Sequence, residues 1–206
     1  MEEHLAYIER FIAYPHYILP KLDAQHSSRE DTQPNIGIHV GVLLGWLIQV
    51  MRAQRVVEFG ACIGYSAIFL GQALKQTGGT LTAIELNESR ALEAEQSITQ
   101  AGLSDVVTVV HGDASRALDD LDGPFDLILQ DSAKQLYPEM LEQCIQKLKP
   151  FGVLAADDAL FVPMGVAEKS SKPIHEYNQK VFSDSRLVNT ILPLGDGLAL
   201  SVKVSD

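Results

Sequence analysis

The stretch LVNTILPLGDGLALSVKV, residues 187 to 204, decides the fold. Only Gly195, Asp196 and Gly197 separate its two apolar runs, and so short a connection makes an antiparallel hairpin. The chain before it behaves differently. From residue 56 it alternates β-branched apolar runs (RVVEFG, LTAIEL, VVTVVHG, FDLILQD, GVLAAD) with helical patterns over 65–76, 88–101, 115–121 and 137–148. Strand, helix, strand in repetition implies parallel strands joined by right-handed crossovers. The expected architecture is therefore α/β: a doubly wound, Rossmann-like, mostly parallel sheet of seven strands, ending in an antiparallel hairpin and preceded by N-terminal helices.

Composition sets the outer limits. The 206 residues show no linker or composition shift, so one domain is expected over 1–206, with a helical segment over 1–35 and a core over 36–206. A net charge of -11 disfavours the broad basic surface that non-specific nucleic-acid binding needs. The opening residues MEEHLAYIERF read as neither a signal nor a transit peptide. IGIHVGVLLGWLIQVM, residues 36–51, is interrupted by three glycines and a histidine and is short for a membrane span, so a buried helix is expected. Cys62 and Cys144 form no ligand cluster or disulfide framework, which fits a reducing cytoplasm.

The first ligand signal is VVEFGACIGYSA, residues 56–67, which runs from a strand through a glycine turn into a helix. Gly60 and Gly64 let backbone approach a ligand closely, and Glu58 stands where a carboxylate could face an amine. The spacing G-x-x-x-G matches neither the dinucleotide fingerprint nor the phosphate loop. Any tight strand-to-helix turn can use glycines in this way. Glu85 closes the second strand about 20 to 25 residues later, where a carboxylate can accept hydrogen bonds from both hydroxyls of a ribose. Asp113 and Ala114 follow the third strand and would border a base, although an aspartate there is also an ordinary helix N-cap.

The second signal is acidic. Asp131 ends the fourth strand, and VLAADDALF ends the fifth in Asp157 and Asp158. Neighbouring strands would bring the three to one sheet edge, where carboxylates away from water need compensation. Three hard oxygen donors suit a divalent cation such as Mg²⁺, with Ca²⁺ or Mn²⁺ as alternatives. The plainer reading is that Asp158 caps a turn. Lys134, three residues after Asp131, is either a salt-bridge partner or a group that orients or deprotonates a hydroxyl. Cys62 has no acid-base dyad and reads as packing. His39 and His111 read as structural, while His4, His16, His26 and His175 lie in segments that could line a substrate mouth.

Together, VVEFGACIGYSA, AIELN, GDA, LILQDSAKQLY, GVLAADDALF, IHEYN and LPLGDGLALSVK resemble, in order, the motifs of the metal-dependent class I S-adenosylmethionine O-methyltransferases of the catechol and caffeoyl-CoA type. The match covers about residues 36–206. D-x-x-K-x-x-Y, the acidic pair and the final P-x-G-D-G are its specific parts. The resemblance implies that Glu58, Gly60 and Ser66 hold the methionine end of S-adenosyl-L-methionine, with Ala61 and Gly64 as further cofactor-binding residues of the same loop. It further places Glu85 on the ribose, Asp113 and Ala114 beside the adenine, and Asp131 at the cofactor's edge. Asp131, Asp157 and Asp158 would ligate the cation, with Lys134 as the catalytic lysine beside Asp131. Tyr177 and Asn178 match an aromatic-Asn pair near the start of a late helix and are taken as structural.

Two positions depart from the family pattern. Ala61 replaces the usual threonine, and Asp158 replaces the usual asparagine, adding a negative charge to the ligand set. The implied chemistry is transfer of a methyl group to a hydroxyl of a small catechol-like acceptor by a homodimer. A relative acting on hydroxyuridine in tRNA shares most of these motifs, but Lys169 and Lys172 after the fifth strand are not joined by an arginine run. A nicotinamide-dependent dehydrogenase is disfavoured by G-x-x-x-G and by the terminal hairpin.

Overall fold

A computed structural model describes residues 2–204. Its sheet contains β1 (Arg55–Phe59), β2 (Thr80–Glu85), β3 (Val107–His111), β4 (Phe125–Gln130), β5 (Leu148–Ala156), β6 (Leu187–Leu192) and β7 (Leu198–Lys203), in the order β3-β2-β1-β4-β5-β7-β6. The first five pair in parallel, and β7 pairs antiparallel with both β5 and β6, as the hairpin stretch requires. Strand order runs outward in both directions from β1 and β4. That reversal is the switch point at which open α/β sheets leave a crevice.

Burial follows the two-residue period of the strands. Val56, Leu81, Ala83, Leu127 and Leu129 pack on one face, with α3 (Gly37–Met51), α4 (Tyr65–Thr77) and α5 (Glu88–Gln100). Val57, Phe59, Ile84 and Ile128 pack on the other, with α6 (Ala114–Asp120), α7 (Leu136–Lys147) and α8 (Glu168–Ser183). α1 (Glu2–Ile8) and α2 (Leu19–Ser28) precede this core. Among the described residues no helix is long and apolar enough to cross a membrane.

The structure redraws several expected boundaries. α3 is buried on one face only: Val40, Leu44 and Ile48 are enclosed, while Trp46 and Val50 are 58% and 61% exposed. Apolar content alone cannot separate a buried helix from one with an uncovered stripe. α8 begins at Glu168 and runs through Pro173, so Tyr177 and Asn178 lie in its middle, not near its start. The helix tolerates Pro173 although the residue before a proline disfavours helical backbone. β6 stops at Leu192, leaving Pro193 and Leu194 in the hairpin connection.

Register then positions the candidate residues. Phe59 pairs with Gln130, and Gln130 with Ala156. The next residues, Gly60, Asp131 and Asp157, therefore emerge side by side at the carboxyl edge. Asp131 N–H donates to Phe59 O at 2.9 Å, and Asp157 N–H to Gln130 O at 3.1 Å.

Candidate active site

Glycine is required at position 60 for two separate reasons. Its φ is +101°, and a Cβ there would overlap the carbonyl oxygen of Asp131. Gly64, at φ +95°, shares only the conformational reason, since a Cβ would stand 3.4 Å from Ala94. Between them Ala61 donates its N–H to Ile84 O at 3.1 Å and Cys62 donates to Glu85 Oε2 at 2.9 Å. The loop is thereby fixed to the end of β2 before α4 begins. Burial raises the Cys62 thiol pKa, which agrees with a packing role.

Glu85 is held by three donors. Besides Cys62, Asn87 N–H reaches Oε1 at 2.9 Å and Arg90 Nη2 reaches it at 3.0 Å. The sequence reading missed Arg90, whose only signal is its place five residues beyond Glu85, in the first turn of α5. Asp113 is the N-cap of α6, with its carboxylate accepting from Ser115 N–H at 2.9 Å. It also lines the cavity, so capping and cavity positions coincide.

Glu58 is entirely enclosed, and neither carboxylate oxygen meets a hydrogen-bond partner of good geometry. Burial pushes its pKa up to about 8, against the nearby Ser66 hydroxyl, with Asp131 and Glu85 adding repulsion. It is not among the residues lining the cavity, whereas Gly60 and Ser66 are.

The carboxylates after β4 and β5 find a cation within the chain. Lys134 Nζ is 3.2 Å from Asp131 Oδ1, donates to Tyr137 OH at 3.0 Å and touches Asp158 Oδ2. Tyr137 passes its own hydroxyl hydrogen to Gln130 O at 2.9 Å. Burial works against the Lys134 charge, but Tyr137 and the two aspartates outweigh it and raise its pKa. Asp131 is pushed up to about 6, by burial first, with Lys134 opposing and Asp158 reinforcing. Asp157 rises well above the carboxylate range through burial and its two acidic neighbours, and its enclosed Oδ1 has no partner.

Asp158 adopts φ +67°, the left-handed conformation that aspartate and asparagine tolerate better than most residues. Two ties hold its turn: Ala159 N–H donates to Gly197 O at 2.8 Å, and Asn178 Nδ2 donates to Ala159 O at 2.8 Å. Tyr177 stands edge-on to Tyr137, with centroids 5.6 Å apart, so the aromatic-Asn pair supports the site from behind. Among the described residues no three His, Cys, Asp or Glu side chains are gathered into a set able to hold a metal ion as they stand. The donor chemistry nevertheless fits a cation: one ammonium already gathers Asp131 and Asp158, and Asp157 keeps an unpartnered oxygen beside them.

Of the candidate site residues all but Glu58 and Gly64 border one cavity of about 790 Å³, and the supporting Tyr137, Tyr177 and Asn178 stand outside its lining. Gly60, Ser66, Glu85, Asp113 and Ala114 line one end, and Asp131, Lys134, Asp157 and Asp158 the other. Gln33, Pro34 and Asn35 from the N-terminal segment complete the wall, as does His26. His4, His16 and His175 do not line it. His111 is exposed rather than packed, and Lys169 lines the cavity whereas Lys172 does not.

The O-methyltransferase family model matches residues 9–204. A catechol O-methyltransferase of Niastella koreensis is 28% identical, over 95% of this chain and 94% of that protein. Caffeoyl-CoA O-methyltransferase 1 of Eucalyptus globulus is 28% identical over 80% of this chain and 73% of its own length. Among solved structures, the O-methyltransferase TomG of Streptomyces achromogenes, in complex with SAM, superposes with a TM-score of 0.86 at 23% identity, covering 97% of this chain and 95% of that one. The Bacillus cereus O-methyltransferase in complex with SAH gives 0.77 at 24% identity, covering 90% and 88%.

Proposed function

The chain belongs to the O-methyltransferase family, and we propose that it moves the methyl group of S-adenosyl-L-methionine to a hydroxyl of a small acceptor with a neighbouring oxygen, with the help of a divalent cation. What carries this reading is the continuity of one cavity from the glycine loop and Glu85 to the cluster of Lys134 and three aspartates. A nucleoside-bearing methyl donor fits the first end, and a chelating hydroxyl fits the second. The catechol and caffeoyl-CoA acceptors in the names of the relatives agree with such an oxygen pair.

In this reading Glu85 accepts from the ribose diol through the acceptor site its three donors leave, Ala114 packs on the adenine beside Asp113, and the methionine end lies along the loop at Gly60 and Ser66. Asp131, Asp157 and Asp158 are the residues that would hold the cation. Its chemistry when bound is to lower the pKa of a hydroxyl and neutralise the carboxylates. Lys134 is a spectator cation while Asp131 and Asp158 hold its proton in place. With those carboxylates neutralised by the cation, the ammonium would first lose a proton to solvent, and the neutral Nζ would then take the acceptor hydroxyl proton as the O–CH₃ bond forms and the S–CH₃ bond breaks. The walls position the two reactants in line, with no protein nucleophile required.

The test is calorimetry with S-adenosylmethionine and with NAD, each with and without Mg²⁺. Binding of the first alone, strengthened in the complete site, supports the reading. Binding of NAD alone refutes it.

A further inference from the structure

Arg90, which lines the cavity, makes two contacts with separate parts of the chain. Nη2 pairs with Glu85 Oε1 at 3.0 Å, and Nη1 donates to the backbone carbonyl of Asp31 at 3.2 Å. Asp31 belongs to the strap over 29–35 that supplies Gln33, Pro34 and Asn35 to the cavity wall. The same helix grips the strap again one turn on, where Arg29 pairs with both oxygens of Glu93 at 2.5 and 3.1 Å. Arg29 also binds Asp31 at 2.6 and 2.8 Å. Arg90 thus joins the end of β2 to a strap that otherwise meets α5 through its rim.

We propose that Arg90 is a positioning residue for the cofactor: it aims the Glu85 carboxylate at the ribose diol and holds the strap closed along the same side. This rests on Glu85 being the ribose ligand. A carboxylate has about four lone-pair sites, and backbone N–H groups of Cys62 and Asn87 use two of them. The third donor fixes the rotation of the carboxylate about its last bond, and so decides where the remaining acceptor site points. A planar guanidinium holds Nη1 and Nη2 in a fixed fork, so its contacts with Oε1 and with the Asp31 carbonyl set each other's direction, whereas a lysine ammonium offers a single nitrogen on a flexible stem.

The experiment compares binding of S-adenosylhomocysteine and of its 2′,3′-dideoxy counterpart to wild type, Arg90→Met and Arg90→Lys. Wild type should prefer the diol, and Arg90→Met should weaken S-adenosylhomocysteine about tenfold while changing the dideoxy ligand less than about threefold. Amide exchange across 29–35 should quicken in the same variant. Equal weakening of both ligands, or unchanged affinity for S-adenosylhomocysteine, overturns the proposal, and unchanged exchange overturns its strap half. Wild type lacking any preference for the diol removes the Glu85 reading and this proposal together. A preference that persists undiminished in Arg90→Met removes this proposal alone. Should Arg90→Met not fold, Arg90→Lys decides: a smaller loss confined to the diol ligand supports the role, and an unselective loss overturns it.

Discussion

Lys134 and Asp131, three residues apart on the turn after β4, hold each other at 3.2 Å while the same ammonium touches Asp158. The chain therefore supplies its own counter-ion to a sheet edge crowded with carboxylates. Lys134→Met should strand two poorly solvated charges and lower metal-free stability by about 2–3 kcal/mol. Saturating Mg²⁺ should recover part of that loss, and turnover should fall about a hundredfold or more. Denaturant unfolding in EDTA and in Mg²⁺ checks the first effect; an identical loss under both conditions would assign Lys134 a packing role only.

The acids also set a pH slope for the ligand-free protein. Glu58 is raised to about 8 from 4.5, and Asp131 to about 6 from 3.8. Between these values the folded chain holds protons that the unfolded chain has released, so stability decreases with rising pH. The decline should run from about pH 4.5 to about pH 8, following the Glu58 values, and Glu58→Gln should flatten it. Urea titrations at several pH values in that window check it, and an unaltered slope in the variant would remove Glu58 as its source.

The two loop glycines separate conformational strain from collision. Gly64→Ala should cost about 1–2 kcal/mol, the penalty for an L residue in the left-handed region. Gly60→Ala adds overlap with the Asp131 carbonyl to the same penalty, so it should cost more and also displace the site's central aspartate. Unfolding free energies with S-adenosylhomocysteine affinities check the order, which reverses if the loop can shift freely.

Which features were legible in sequence follows from where their physics resides. The order of strands and the hairpin were readable because β-branched runs and a three-residue glycine connection act locally. Asp131, Asp157 and Asp158 were readable as neighbours because Asp131 and Asp157 each follow directly on strands whose register is fixed by pairing, and Asp158 is the next residue. Arg90 was not, since its contacts join α5 to β2 and to a strap 59 residues upstream. Nor was the answer to the crowded acids: Lys134 could be read as a salt-bridge partner, but its simultaneous contact with Asp131 and Asp158 depends on the left-handed turn at Asp158. Glu58 shows the converse, a residue placed correctly on its strand whose complete enclosure sequence pattern does not reveal.

Asp158 offers a finer substitution test. Asparagine tolerates the same positive φ and keeps an oxygen donor, so Asp158→Asn should retain metal-dependent turnover within about tenfold. Asp158→Ala removes the donor and strains the turn, and should fall at least about another tenfold. Steady-state rates at saturating Mg²⁺ decide, and an alanine variant with unchanged rate and Mg²⁺ affinity would exclude Asp158 as a ligand.

The most direct measurement is transfer of labelled methyl from S-adenosylmethionine to catechol, followed with Mg²⁺ present, with EDTA, and with Mg²⁺ restored. The expected result is a monomethyl ether formed one for one with S-adenosylhomocysteine, lost in EDTA and regained with the ion. Transfer that continues undiminished in EDTA would contradict the assignment of Asp131, Asp157 and Asp158 to a cation, and no transfer to catechol or to other acceptors with paired oxygens would contradict the proposed activity itself.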